Sequence, residues 1–409
     1  MHDTTSLQQL EFPRIIEKLQ SLLSTPFGHQ EIERLEFSGN REVVEQRLQE
    51  VHQMLGLIEA GEYIPLSGFA DIRPYLDQIK PEDAYLEAEA LLRIKGDFQL
   101  MGELMHFFRE HQEQAPLLWR YARGVHYHRN IVREIEATID PTGEIYDDAT
   151  PELRQIRKEI RTLEAEQKRM LATLQKRYAE YSQDEIVTLR DGRMVLGILP
   201  SQVSKVNGIV HGTSASGATV FVEPMETLQI GNRIQNLRIQ ERTEIIKILR
   251  FLTGLIRGVR DDVYYALENI AALDWIYARA QLARELQAAV PRIAETRKLK
   301  ISQGRHPLLI LKMGYEQVVP LNLEMGESFT TLVITGPNAG GKTVALKTVG
   351  LLMLMVQAGI PIPVSPDSEI PLLPRVLVDI GDRQSLEQDL STFSAHIVRL
   401  KEILEQADS

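Results

Sequence analysis

Cysteine is missing altogether from this sequence. Its absence excludes disulfides and thiolate metal sites and fits a reducing compartment. Long apolar runs are missing too. The longest, LLMLMV at residues 351–356, is six residues, where a membrane-spanning helix needs roughly 20. The start, Met1-His2-Asp3-Thr4-Thr5, offers neither a basic segment nor an apolar one, so no secretory signal is read there. A cytoplasmic protein with no membrane partner is the expectation. Positive charge is not in excess either: the formal net charge is −11. That argues against a protein that coats nucleic acid over its whole surface.

What is present is an ordinary globular composition, 43% hydrophobic and 25% charged. At 409 residues the chain exceeds one ordinary core, so several domains are expected. Residues 1–150 read as all helix: Ile15, Ile16, Leu19, Leu22 and Leu23 recur at helical spacing, as do Leu48, Val51, Leu55 and Ile58. From Pro151 the pattern sharpens. Leu153, Ile156, Ile160, Leu163, Gln167, Met170 and Leu174 alternate three- and four-residue steps, a heptad seam with one polar member. A helix over 151–183 would be roughly 45 Å long. A second long helix is read over 232–256, inside a helical stretch 230–290, with Ile234, Leu237, Ile245, Ile248, Leu252 and Leu255 on one side. An antiparallel pair of long helices follows, with the segment between them at the far tip.

That tip, residues 184–229, changes character. IVTL (186–189) and MVLGI (194–198) read as strands joined at Asp191-Gly192, a hairpin signal. GIVH (208–211) and ATVFV (218–222) follow, split by the small polar loop GTSASG. Such a loop contacts a phosphodiester backbone or is a flexible turn; the residues leave both open. Arg190, Arg193 and Lys205 lean towards contact. The first long helix is basic: between Glu152 and Arg177 stand Arg154, Arg157, Lys158, Arg161, Lys168, Arg169, Lys176 and Arg177 against four Glu. A phosphate footprint and a solvated helix surface both fit this charge pattern.

The most informative segment is Gly336-Pro337-Asn338-Ala339-Gly340-Gly341-Lys342-Thr343. It follows the β-type run TLVIT (331–335) and opens the helical pattern VALKTVGLL (344–352), the order a phosphate-binding P-loop needs. Backbone N–H groups converging at a helix N-terminus would cup a β-phosphate. Lys342 would bridge the β- and γ-phosphates and Thr343 would hold Mg²⁺. ATP and Mg²⁺ are therefore the expected cofactors. Downstream, VLVD (376–379) is the one strand pattern ending in an acid. It is thin evidence for a Walker B segment, so the catalytic acid is expected beyond residue 409 and no catalytic residue is assigned. The segment STFS (391–394) opens a further helix.

These residues resemble the MutS family of ABC-type ATPases. The P-loop form with Pro337 and Asn338 is similar to that family's version. Gly304-Arg305-His306-Pro307 is similar to the motif opening its ATPase domain, and STFS to its signature segment. The stretches GIVHGTSASGATVFVEP (208–224) and DIGDRQSLEQDLSTFSAH (379–396), with LEFPRIIEKLQ at 10–20, resemble the second bacterial branch, MutS-two. The resemblance implies a multidomain α plus α/β fold. In it a helical core (1–150), long antiparallel lever helices (151–183 and 230–290), a small β clamp at their tip (184–229) and part of a P-loop ATPase domain (291–409) follow in order. It also implies a homodimer, with Ser391 sensing the partner subunit's γ-phosphate. Its implied function is an ATP-gated clamp on branched or duplex DNA that restrains recombination; a ribosome-splitting rescue factor is the alternative. The family's adenine-stacking aromatic is not matched: Glu316 and Gln317 fall near its place, beside Tyr315. Nuclease activity is not expected of this chain.

Overall fold

The computed structural model describes residues 3–182, 187–190, 192–337, 341–380 and 397–405. The first part of the chain is helical: α1 (Thr4–Gln9), α2 (Phe12–Leu22), α3 (His29–Glu33), α4 (Arg41–Glu59), α5 (Arg73–Gln78), α6 (Ala88–Glu110), α7 (Pro116–Ala122) and α8 (Arg129–Thr138). Then come α9 (Pro151–Arg177), the strands β1 (Val187–Arg190), β2 (Arg193–Ile198), β3 (Gly208–Thr213) and β4 (Val220–Pro224), and two long helices, α10 (Met225–Gly258) and α11 (Arg260–Leu286). The last part is mixed: β5 (Arg292–Ile293), β6 (Leu299–Gly304), α12 (Pro307–Met313), β7 (Leu321–Met325), α13 (Lys342–Gln357) and β8 (Glu369–Ile370). Residues 397–405 are helical. The fold is thus a mixed α and β one in more than one unit.

Two compact units form, each from segments apart in sequence. One comprises Met1–Asp71, Gly96–Tyr127 and Asp261–Ser409; the other comprises Ile72–Lys95 and His128–Arg260. In the second unit α9 starts sharply. Thr150 caps it by accepting from the Leu153 amide at 3.1 Å, and Pro151 takes the first turn, where no amide partner is needed. Helices α9 and α10 run antiparallel, paired from Thr150–Glu244 at one end to Arg177–Glu226 at the other. Ile160, Ile234 and Leu237 form the apolar seam between them. Beyond Gln167 the seam departs from the heptad expectation. Leu171, not Met170, is fully buried, and with Leu174 it joins Leu196, Ile198, Val206, Val220 and Val222. The reason is the partner: here α9 covers a sheet face, which takes a wider apolar stripe than one helix does.

That sheet is antiparallel throughout, in the order β1-β2-β4-β3. The hairpin at Gly192 pairs Arg190 with Arg193 and Val187 with Leu196. The other end of α10 is held by segments earlier in the chain. Thr253 Oγ1 accepts from the Leu86 amide (2.9 Å), and Arg257 donates to the carbonyls of Ile79 (2.7 Å) and Ala84 (2.8 Å).

In the first unit the core gathers on α13, whose residues 350–357 are all buried. It packs with Leu10, Ile15 and Leu19 of the N-terminal helices, with Leu48 of α4, and with Ala278, Leu282 and Leu286 of α11. The middle of α11, residues 270–283, is buried or half-buried on every side, as in a central helix. A small sheet, β5-β8-β6-β7, completes the unit; β5 and β8 are parallel and the other pairings antiparallel.

Candidate nucleotide site and nucleic-acid surface

Lys342 is the first residue of α13 and Thr343 the second, with Gly341 as N-cap in the left-handed region (φ 80°). Gly336 also has positive φ, 146°. A side chain would strain both positions, so the two glycines let the chain turn sharply into the helix. The Lys342 ammonium donates to the Gly336 carbonyl across the turn. Thr343 is exposed. The amides of the first helical turn add the partial positive charge of a helix N-terminus. Pro337 is described; Asn338, Ala339, Gly340 and Ser391 lie outside the described residues.

Two expected strands are not formed. Residues 331–335 have no ladder, and no backbone hydrogen bond links them to another described segment. Their side chains face outward, Val333 being 78% exposed. A β-type run becomes a strand only beside a partner, and among the described residues none adjoins it. Residues 376–378 are not a strand either. Their backbone is satisfied by side chains instead: the Val378 amide donates to Ser6 Oγ (2.9 Å) and the Ile380 amide to Gln9 Oε1 (3.1 Å). Arg399 closes the same spot, donating to Asp3 and Ser6 (both 2.9 Å) and to the Val378 carbonyl (3.2 Å).

The Gly304-Arg305-His306-Pro307 motif ends β6 and starts α12, with His306 as N-cap. Arg305 stacks on the Tyr315 ring at 4.2 Å and donates to its hydroxyl at 3.0 Å. Tyr315 is therefore engaged within its own unit. His306 is buried, and burial pushes its pKa down; Glu11 opposes that shift, while Lys347 and Arg14 add to it. Lys347, on α13, pairs with Glu11 at 3.2 Å. The motif thus lies against the helix that Lys342 opens. Glu11 and Lys347 carried no signal in the sequence, because 336 residues separate the partners.

On the β1–β4 sheet one expectation is corrected. Arg193, read as a contact for a target, is committed internally. It donates twice to Glu223 (3.0 and 2.9 Å) and once to Asn232 (2.8 Å). Glu223 is fully buried and also lies 2.8 Å from His211 Nε2. The cluster is tight: a Cβ on Gly231 would come within 2.7 Å of Glu223 Oε1. A buried carboxylate needs such partners, and Arg193 is the nearest cation. Arg190 stacks on Phe221 (4.3 Å) and Lys205 on Tyr181 (5.1 Å), and both cations are exposed. The hydroxyl-rich loop uses much of its own polarity. The Ser214 amide donates to the Thr219 carbonyl, the Thr219 amide to Ser214 Oγ, the Gly217 amide to the Ser214 carbonyl, and the Ala218 amide to Ser216 Oγ.

The basic helix α9 divides in two. Arg157 is tied to Glu241 and Asp147 (both 2.7 Å), Arg161 to Asp147 (2.5 Å) and Arg177 to Glu226 (3.5 Å). Arg154, Lys158, Lys168, Arg169 and Lys176 are exposed and make no ion pair among the described residues. They form a solvent-facing set of cations on a rigid element. No helix among the described residues is long and apolar enough to cross a membrane.

With this geometry in view, the chain belongs to the MutS family. The family model described as MutS domain V matches residues 332–409. Over nearly its whole length the chain is similar to proteins named Endonuclease MutS2. One from Pelotomaculum thermopropionicum is 37% identical over 407 residues, covering 99% of this chain and 51% of that protein. One from Symbiobacterium thermophilum is 37% identical over 404 residues, covering 98% and 50%. The Bacillus subtilis relative, named Putative endonuclease MutS2, is 35% identical over 407 residues, covering 98% and 51%. Within the family it therefore groups with the MutS2 branch. The chain spans about half the length of the curated relatives it matches.

Proposed function

We propose that residues 336–343 bind ATP with Mg²⁺, and that the chain works within a dimeric, ATP-gated clamp on branched DNA that restrains recombination. The observation that carries the nucleotide part is the position of Lys342. It opens a helix anchored in the core, directly after the positive-φ Gly341, with its ammonium donating to the carbonyl of Gly336, also at positive φ. Lys342, Thr343 and the amides of the first turn of α13 would hold the phosphates and the metal. Bound ATP would supply the γ-phosphate that a partner subunit's Ser391 senses. The nucleic-acid part is supported by Arg154, Lys158, Lys168, Arg169 and Lys176, which have no internal partner to give up. Chain continuity gives a route for coupling, since α11 of the first unit begins directly after α10. Cleavage, which the relatives' names mention, is not proposed for this chain.

The test is a competition at physiological salt between four-way-junction DNA, linear duplex and ribosomes, with a non-hydrolysable ATP analogue present. Junction preference is expected, and Lys342→Ala should reduce analogue affinity at least roughly tenfold without unfolding the protein. Unchanged analogue affinity in Lys342→Ala would remove the P-loop assignment. Ribosome preference would move the function to ribosome splitting, the same cations then meeting RNA.

A further inference from the structure

A cavity of ≈ 370 Å³ in the first unit is lined by residues of α4, α7 and α11, among them Arg47, Glu50, Tyr121, Trp275 and Arg279. Arg279 is 3% exposed. Its guanidinium lies 5.1 Å over the Trp275 ring. Nε donates to the Trp275 carbonyl at 3.4 Å and Nη1 to the Gly359 carbonyl at 3.0 Å. Neither acceptor is charged. Among the described residues Nη2 makes no hydrogen bond, and no carboxylate forms an ion pair with Arg279.

Arg47 converges on the same place. A Cβ on Gly359 would come within 2.6 Å of Arg47 Cβ and 2.9 Å of Arg279 Nη1. Arg47 spends Nη1 on the Glu36 carbonyl (2.8 Å), again an uncharged acceptor. Glu50 is the buried carboxylate of the lining, and its Oε1 already accepts from Gln46 (2.8 Å) and Tyr121 (3.0 Å). Burial pulls Arg279 down to about 10, with Glu50 holding it up and Arg47 pushing it down. It is still a cation at neutral pH. Arg279 and Arg47 thus share an open space with Glu50. Glu31, Arg34 and Glu36 line it too, Glu31 pairing with Arg34 at 3.4 Å and helping to hold Arg279 charged, but no carboxylate pairs with Arg279 itself among the described residues. A buried cation with spare donors and no carboxylate in direct contact is costly unless an anion completes it.

We propose that this cavity binds a small oxyanion-bearing molecule, a phosphate or a carboxylate, through Arg279 Nη2 and the remaining donors of Arg47. Guanidinium forks match both groups, and the volume is in the range of small-molecule sites. The site has a structural consequence: the guanidinium that meets the ligand also holds the Gly359 carbonyl, just past the C-terminal end of α13.

Trp275 is one of only two tryptophans, so its fluorescence reports on the cavity. The whole chain is titrated with inorganic phosphate, AMP and citrate, in a Lys342→Ala background so that the start of α13 does not contribute. Saturable quenching by at least one probe is expected. Phosphate and AMP acting without citrate would mark a phosphate ligand; citrate alone would mark a carboxylate. Arg47→Gln should weaken the effect roughly tenfold or more while melting near the parent temperature. Arg279→Lys, which keeps the charge but loses the fork, should weaken it as well. Absence of saturable binding by all three probes would overturn the proposal, as would equal binding by Arg47→Gln. Phosphate binding seen with Lys342 in place but absent in the Lys342→Ala background would assign the anion to α13 instead, and the cavity proposal would fall.

Discussion

Asp97 shows how one buried atom gives the fold a pH dependence. Its carboxyl is 2% exposed, accepts from the Ala70 amide at 2.9 Å through Oδ1, and has no partner for Oδ2 among the described residues. Burial raises its pKa to about 7; the Ala70 bond opposes the shift and Asp71 adds to it. A carboxyl whose folded pKa exceeds its unfolded value binds more protons folded than unfolded. Its favourable contribution is complete below about pH 4, the unfolded range, and is lost as pH rises through about 7. Stability should therefore fall across that window, by an amount on the order of a few kcal/mol. Asp97→Asn keeps the Ala70 acceptor and removes the charge. Denaturant melts at pH 5 and pH 8 should show a smaller difference for the variant than for the parent; an unchanged difference would mean that other groups cause it.

Among elements, the β1–β4 sheet depends on Glu223, which joins β2 and β3 to β4 through Arg193 and His211. Removing a buried partner leaves the other charge uncompensated, so Glu223→Ala should cost about 3 kcal/mol. The loss should appear as earlier proteolysis of the segment between α9 and α10; equal protease resistance would show the cluster to be dispensable. Element by element, the residues of the first half of α9 could be read from spacing alone, because Ile156, Ile160 and Leu163 meet a single helix with the same periodicity. Leu171 could not, because its burial depends on a sheet formed later in the chain. Arg193 illustrates the same limit. Whether a basic residue reaches solvent or a buried acid depends on a register 30 residues away. At the candidate nucleotide site, Gly336, Gly341, Lys342 and the start of α13 were legible as a local loop-helix pattern. The strands expected at 331–335 and 376–378 did not form, since a strand is defined by its neighbour and not by its own residues.

On the scale of the whole molecule, an acidic protein carries a concentrated basic face. The net charge is −11, yet α9 keeps five exposed, unpaired cations among the described residues. Phosphate contacts by a few such residues should give weak, salt-sensitive binding. Replacing Lys168, Arg169 and Lys176 together with Glu should flatten the dependence of log affinity on log salt by roughly 2–3 for duplex DNA. The change should leave the melting temperature nearly unaltered, since exposed charges contribute little to stability. A salt dependence identical to the parent would show that nucleic acid meets another face.

The contacts of Arg399 with Asp3 and Ser6 fasten the opening residues of the chain to a point near its last described helix. In topological terms the described part of the first unit closes on itself, its first and last described helices meeting at one buried place. Tension applied between residues 3 and 399 would load that single fastening before it reached the buried helices. A fusion joined just ahead of residue 3 would therefore disturb the segment around residue 378.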